Sequence, residues 1–166
     1  MLSKGKSSNG SGWLGEINEL YGTVLHAVIR AMLLQHGFAK TYHTISVQMF
    51  PLYESARRRR APSIGVAQLN QLGQYLYQMD DQDSLTTSCL SIAIMTQAIL
   101  FSSGEDSDLL IGIQKQDHKL LGHAWVRLQN GQDIDPDNMR RGKTILHTLS
   151  MYAQVQQWVR SVCESG

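Results

Sequence analysis

Hydrophobic residues recur three and four positions apart over long parts of the chain, which is typical of amphipathic helices. This pattern predicts a helix over residues 16–36, closed by Gly37 as a C-cap, and a less regular second helix that ends at Pro51. It also predicts a helix over residues 63–79 and another from Thr144 towards the C-terminus. The chain is therefore expected to begin and end with helices.

The segment 88–100 differs from these helices because it is apolar on almost every side. A helix of this kind is buried in the centre of a fold, and its ends are held firmly. Thr86, Thr87 and Ser88 are good capping residues, so Cys89 falls in the first turn of the predicted helix. The polar segment 80–84 separates it from the preceding helix.

After Gly104 the pattern changes to that of short strands. Residues 108–115, 122–128 and 132–136 are predicted strands, and the last two form a hairpin. The order is N-terminal helices, a central helix that carries Cys89, a small antiparallel sheet and a C-terminal helix. This order predicts an α+β fold.

Composition places the chain among ordinary globular proteins, since 42% of its 166 residues are hydrophobic and 17% are charged. We expect residues 1–12, which are rich in Ser, Gly and Lys, to be a disordered tail and residues 13–166 to form a single domain. The net charge of +1 gives no reason to expect a nucleic-acid partner. Two cysteines do not make a disulfide framework, so a cytoplasmic location is expected.

No segment has the features of a membrane span or a secretory signal. The N-terminus has a basic start without an apolar core after it, and the apolar stretch 20–34 carries His26 and Arg30 and is too short to span a bilayer. The run Arg57–Arg60 is most simply a solvated charged face. Its functional alternative is a docking patch for an acidic peptide or for a partner protein.

The candidate chemistry depends on a cysteine, a histidine and an aspartate that follow one another as Cys89, His123 and Asp135. The thiolate is the reactive form of cysteine, and the N-terminus of a helix stabilises an anion. With an imidazole as base and a carboxylate to orient it, these are the parts of a cysteine nucleophile system. Taken singly, Cys89 could be a small buried hydrophobic residue, His123 a hydrogen-bonded sheet residue and Asp135 a turn residue.

The hydrophobic pattern of the hairpin decides which residues share a face with His123. A two-residue turn at Asn130-Gly131 would put Ile134 on that face and turn Asp135 away from it. A three-residue loop over 129–131, with its glycine left-handed, instead sends Ile134 to the core and Asp135 to the His123 face. We choose the second register because it buries the apolar residue.

The chosen register predicts two ion pairs. Asp135 lies opposite Trp125 and diagonal to His123, where the backbones are about 7–8 Å apart and the side chains can meet. Asp133 faces Arg127 and is its expected salt-bridge partner. Trp125 is expected to pack over the site rather than to contact substrate.

These residues resemble the transglutaminase-like branch of the papain-type cysteine enzymes. More narrowly, the region 85–136 is similar to the leader peptidases of lasso-peptide biosynthesis. In that family a Cys-Leu helix is followed by a Gly turn, an apolar strand that ends in a basic residue, and His-Ala-Trp-Val. The matching residues here are Cys89-Leu90, Gly104, Leu109–Lys115 and His123–Val126.

The resemblance implies a cysteine peptidase that removes the leader from a ribosomally made precursor through a thioester. By the same resemblance Cys89 is the nucleophile, His123 the general base and Asp135 the orienting acid. The implied partners are the precursor peptide, a separate leader-binding domain that delivers it, and the ATP-dependent lasso cyclase.

Other functions use the same residues. An acyl transferase shares the acyl-enzyme, although no dedicated amine site is visible, and a non-catalytic scaffold of a peptide-modifying complex would not need the three residues. Zinc bound by Cys89, His118 and His123 is disfavoured because the histidine spacing does not fit one helix face and no second cysteine pair exists. We therefore expect neither a metal nor a cofactor.

A thioester mechanism also needs donors for the oxyanion. The backbone N–H of Cys89 is a natural first donor. The sequence leaves the second donor open, and its side-chain candidates are Gln68, Asn70, Gln71 and Gln74.

Overall fold

The computed structural model describes residues 12–49, 52, 64–81 and 88–164, with the backbone alone for 12–18 and 81. The expected tail 1–12, apart from Gly12, and the arginine run 57–60 lie outside the described residues. The elements in chain order are α1 (Gly12–His43), a π-helical turn (Thr44–Gln48), α2 (Val66–Asp81), α3 (Ser88–Ser102), β1 (Ser107–Gln116), β2 (Lys119–Leu128), β3 (Asp133–Ile134), β4 (Thr144–Ser150) and α4 (Met151–Glu164).

The strands form one antiparallel sheet in the order β3-β2-β1-β4. β1 and β2 pair along their whole length, from Ser107 opposite Leu128 to Gln116 opposite Lys119. β3 pairs with β2 and β4 with β1, so these two strands lie at the edges. Helices packed with a small antiparallel sheet confirm the predicted α+β fold.

The first helix changes direction at Gly37, whose φ of 74° and ψ of 177° are not helical. A positive φ is strained for residues with a side chain, and glycine avoids this strain. The prediction of a helix that ends at Gly37 and is followed by a second helical segment is confirmed. Within the described ranges, no helix is both long and apolar enough to cross a membrane.

α3 is the central element of the fold. It contacts α1, α2 and α4, and it lies against β1 and β2. Every residue from Ser91 to Phe101 is buried, which confirms the prediction of a central helix that is apolar on almost every side. Burial of each large apolar side chain stabilises the fold by roughly 1.5–3 kcal/mol.

A buried glutamine connects this central helix to the sheet. Gln97 Nε2 donates hydrogen bonds to the carbonyl oxygens of Ser107 and Leu149, each at 2.9 Å. Its Oε1 accepts a hydrogen bond of 2.9 Å from the hydroxyl of Tyr42. Because these polar atoms are all partnered, burying the amide costs little, and α3 is held in one register against β1 and β4.

The prediction of a helix from Thr144 is wrong for its first residues, which form the edge strand β4. Ile145 and Leu149 are four residues apart, and this spacing puts residues on one side of either a helix or a strand. Pairing with β1 decides for the strand. The helix begins only at Met151, where the Ser150 hydroxyl caps it by accepting a hydrogen bond of 3.2 Å from the Ala153 N–H.

The end of α2 also differs from the prediction. The helix continues through Asp81 into the segment that we interpreted as a polar separator. Asp80 is buried, with 5% of its surface exposed, and pairs with Arg30 of α1. A carboxylate can be buried when a cation accompanies it, and composition alone does not reveal such a partner.

Candidate active site

Cys89 lies in the first turn of α3, directly after Ser88, where the helix begins. The predicted caps Thr86 and Thr87 are outside the described residues. Cys89 is half-buried and packs against the hydrophobic core. The first N–H groups of a helix have no partner within it, so the thiol sits where negative charge is favoured.

The hairpin of β2 and β3 has the predicted register. Val126 lies opposite Ile134, and Arg127 lies opposite Asp133. Gly131 has a φ of 84°, as the three-residue loop requires, and Ile134 is only 1% exposed. The choice of register from the hydrophobic pattern is therefore confirmed.

This register brings His123 and Asp135 into contact. His123 Nε2 and Asp135 Oδ1 are 2.7 Å apart, and both side chains are almost fully buried. The bond uses Nε2, so Nδ1 is the ring nitrogen left for Cys89, whose thiol acts on the pKa of His123. The structure thus groups the three candidate residues at one place.

Arg140 fixes the other oxygen of Asp135. Its backbone N–H donates to Asp135 Oδ2 at 3.0 Å, and its Nη1 lies 3.3 Å from the same atom. Asp133 instead binds Arg127 through two hydrogen bonds, of 2.7 and 3.1 Å, and contacts Arg140 Nε at 3.0 Å. Only Asp135 of these two carboxylates meets the imidazole.

The charges of the site favour an ion pair. Burial alone would lower the pKa of His123, but hydrogen bonds to Asp135 and Cys89 and the negative charges of both outweigh it and raise the pKa to about 9. Burial alone would raise the pKa of Asp135, but hydrogen bonds from His123 and Arg140 hold it below its usual value. At neutral pH the histidine is therefore an imidazolium beside a carboxylate.

Trp125 covers the imidazole, as predicted. The two rings are stacked, with centroids 6.0 Å apart and planes inclined by 16°, and Trp125 is 3% exposed. The far edge of the indole lies over Gly112, where an added Cβ would be only 3.0 Å from two ring carbons. The absence of a side chain at Gly112 makes room for this packing.

A family model described as the transglutaminase-like superfamily matches residues 32–150, which is more than half of the chain. The chain belongs to the transglutaminase-like superfamily. The matched range contains Cys89, His123 and Asp135. Searches of curated proteins and of solved structures gave no significant match. Membership of the superfamily indicates cysteine peptidase or acyltransferase chemistry.

In this transglutaminase-like domain α2 reaches the site, which the sequence did not reveal. A Cβ added at Gly73 would lie 2.2 Å from Pro136 Cγ and 3.4 Å from Ile92 Cγ2. Pro136 follows Asp135 directly, and its carbonyl oxygen is 3.5 Å from Gln74 Nε2. Tyr77 lies one turn further along α2, and the negative charges of Cys89 and Asp135 contribute to raising its pKa. The helix therefore supports the loop that carries the carboxylate.

A second buried polar cluster lies below the first turn of α3. His26 Nε2 is 2.9 Å from Ser91 Oγ and 3.5 Å from Asp80 Oδ2, and Asp80 is bonded to Arg30. Burial lowers the pKa of His26, and Arg30 lowers it further against the opposing effect of Asp80. The cluster joins α1, α2 and α3. The sequence signal that could have indicated this cluster is the four-residue spacing of His26 and Arg30, which puts two polar side chains on one side of an otherwise apolar helical stretch.

The structure separates the residues of the zinc alternative. His118 is exposed in the turn between β1 and β2, while His123 lies further along β2, opposite Gly112. Among residues 19–49, 64–80 and 88–164, no group of three His, Cys, Asp or Glu side chains has the arrangement of a metal site. Ligation by Cys89, His118 and His123 together therefore has no support in this geometry.

Proposed function

We propose that this transglutaminase-like protein is a cysteine endopeptidase that removes the leader from a ribosomally made lasso-peptide precursor. The observation that carries the proposal is the buried 2.7 Å contact between His123 and Asp135, with Cys89 in the first turn of α3 acting on the same imidazole. A thiol at a helix N-terminus, a buried imidazole and a buried carboxylate together provide nucleophile, base and orienting acid.

The proposed reaction proceeds through a thioester. In the resting site His123 already holds the proton that the Cys89 thiol gives up, as the imidazolium of an ion pair, and the thiolate attacks the carbonyl carbon of the scissile peptide bond. The imidazolium then gives its proton to the departing amine, which leaves an acyl group on the sulfur. His123 next activates a water molecule that releases the acid. Asp135 keeps the ring in one orientation throughout, because it binds Nε2.

The choice of a lasso-peptide precursor rests on the sequence resemblance. Cys89-Leu90, Gly104 and His123–Val126 follow the pattern of the leader peptidases in the same order and in the same elements. The partners proposed on this basis are a separate leader-binding domain and the ATP-dependent cyclase. A leader-binding partner would raise the local concentration of the scissile bond at Cys89.

The test uses a lasso-peptide precursor and a leader-binding protein sought among the neighbouring genes. The parent protein should release the leader with a free carboxylate at its C-terminus, as mass spectrometry would record. Cys89→Ala should release none and should keep its circular dichroism spectrum, whereas Cys163→Ala, at an exposed thiol, should retain activity. Cleavage by Cys89→Ala would refute the proposal.

The same experiment separates hydrolysis from the alternatives. In the presence of a primary amine such as glycine methyl ester, an acyl transferase would join the amine to the leader in place of water. If the leader joined to the amine were the main product, the protein would be an acyl transferase and not a peptidase. A parent protein whose Cys89 neither cleaves nor becomes acylated would be a non-catalytic scaffold.

A further inference from the structure

One face of α2 runs past the candidate site. Gly73, Tyr77 and Asp80 are spaced by four and three residues, so they lie on the same side of the helix. Gly73 touches Pro136, next to the catalytic carboxylate, and Asp80 meets the cluster below the first turn of α3. Tyr77 lies between these two contacts, on the side of α2 that faces the first turn of α3.

The hydroxyl of Tyr77 is free to donate a hydrogen bond. It has no hydrogen-bond partner among the described side chains and backbone groups, and the residue is half-buried. Burial raises the pKa of Tyr77, and the charges of Cys89, Asp137 and Asp135 raise it further. The hydroxyl therefore keeps its proton over the whole working range of pH.

We propose that the Tyr77 hydroxyl is the second donor of the oxyanion hole, together with the backbone N–H of Cys89. The proposal rests on the proposed function, in which Cys89 is the nucleophile. Tyrosine hydroxyls can serve as oxyanion donors, and such a donor must lie beside the nucleophile while remaining unpaired before the reaction. Tyr77 lies one turn from Gly73, which packs against Ile92 of α3 and Pro136, and the charge of Cys89 acts on its pKa. Within the described residues its hydroxyl has no hydrogen-bond partner.

The glutamine and asparagine candidates fit this role less well. Asn70 Nδ2 donates to the carbonyl oxygen of Val66, and Gln68 Oε1 accepts from the Gly65 N–H at the start of α2. Gln71 is exposed, on the side of α2 that faces α1. Gln74 is exposed and donates to the Pro136 carbonyl oxygen. The amide donors of Asn70 and Gln74 are therefore already used, and Gln68 and Gln71 are exposed on the side of α2 opposite Gly73 and Tyr77.

The step in which Tyr77 acts is the acylation of Cys89. The thiolate forms a bond to the carbonyl carbon of the substrate, and the carbonyl electron pair moves to the oxygen, which becomes an oxyanion. When this intermediate collapses, the carbonyl bond forms again and the leaving group departs with its bonding electrons. A donor to the oxyanion stabilises the intermediate and the transition states on either side of it.

Two small reagents separate this role from a structural one. p-Nitrophenyl acetate acylates a thiolate through an oxyanion and releases p-nitrophenolate, whereas iodoacetamide alkylates it by displacement of iodide, without an oxyanion. Both rates would be measured by stopped flow or mass spectrometry in the full chain. All variants would carry Cys163→Ser, because Cys163 is exposed and would react as well.

Tyr77→Phe should slow the p-nitrophenolate burst by roughly 10- to 100-fold, at or below the usual loss for one oxyanion donor because water can enter a half-buried site. Its alkylation by iodoacetamide should keep the parental rate. Tyr75→Phe is the matched control, since Tyr75 is an exposed tyrosine of the same helix, and both of its rates should be parental.

Several results would overturn the assignment of Tyr77. A parental burst in Tyr77→Phe would exclude the hydroxyl as a donor. An equal loss of both rates, or a variant that does not fold, would make Tyr77 a support of the thiolate or of the packing instead. Failure of the proposed function can be told apart from failure of the Tyr77 assignment. If Cys89 were not the nucleophile, the burst would persist in Cys89→Ala or would be absent from the parent protein.

Discussion

Replacing Gly73 by alanine tests whether α2 holds Asp135, the proposed orienting acid, in place. The new Cβ would lie 2.2 Å from Pro136 Cγ and 2.8 Å from Pro136 Cβ. A proline ring has no flexible end that can turn aside. Ordinary contact therefore requires α2 and Pro136 to separate by about 1 Å, since few carbon atoms approach within 3.4 Å. Asp135, the preceding residue, would move with the ring.

The magnitudes favour a larger effect on rate than on stability. Overpacking a core costs roughly 1–3 kcal/mol, while alanine in a helix interior is about 1 kcal/mol better than glycine. The free energy of unfolding should therefore fall by about 0–2 kcal/mol. A displacement of about 1 Å at a catalytic group can reduce the rate up to roughly 100-fold. The contact that it would disturb is the 2.7 Å bond between Asp135 and His123.

The assay combines urea unfolding with the p-nitrophenolate burst, which is measured well below the unfolding transition. Gly22→Ala is the matched control, because its Cβ would meet Leu72 Cδ2 at 2.5 Å in a buried helix–helix contact away from Asp135. The end of a leucine side chain can move aside, so this variant should keep the parental burst rate. If Gly73→Ala also kept that rate, the contact with Pro136 would not position Asp135.

Two further predictions concern the carboxylates and the imidazole. Asp135→Asn should slow acylation of Cys89 by roughly 100-fold or more, as expected for the orienting acid of a triad. Asp133→Asn should have only a mild effect. If the burst assay gave the opposite order, the assignment of Asp135 would be wrong. Because His123 has a pKa of about 9, above its ordinary 6.5, the rate should fall as the pH rises through about 9. The stability that the His123–Asp135 pair contributes should be complete below about pH 6.5 and should be lost as the pH rises from there through about 9. In Asp135→Asn this alkaline limb should move to lower pH, and a limb that does not move would show that Asp135 does not raise the pKa of His123.

The hydrophobic pattern determined the features of this protein that depend on residues close together in the chain. The apolar segment after Ser88 predicted the central helix, and the position of Cys89 in its first turn followed. The hairpin register could be chosen because only one alternative buries Ile134. His123 and Asp135 are separated by 12 positions within that hairpin, so their contact followed from the register.

Tertiary structure decided the features that the spacing of residues along the chain leaves ambiguous or does not indicate at all. A separation of four residues fits a helix and a strand equally well, so only pairing with β1 showed that Thr144–Ser150 is a strand. The burial of Asp80 depends on Arg30, which is 50 positions away. The approach of α2 to Pro136 and Ile92 likewise joins distant segments. Contacts of this kind arise from the packing of whole elements, and periodicity along one element carries no information about which other element will cover it.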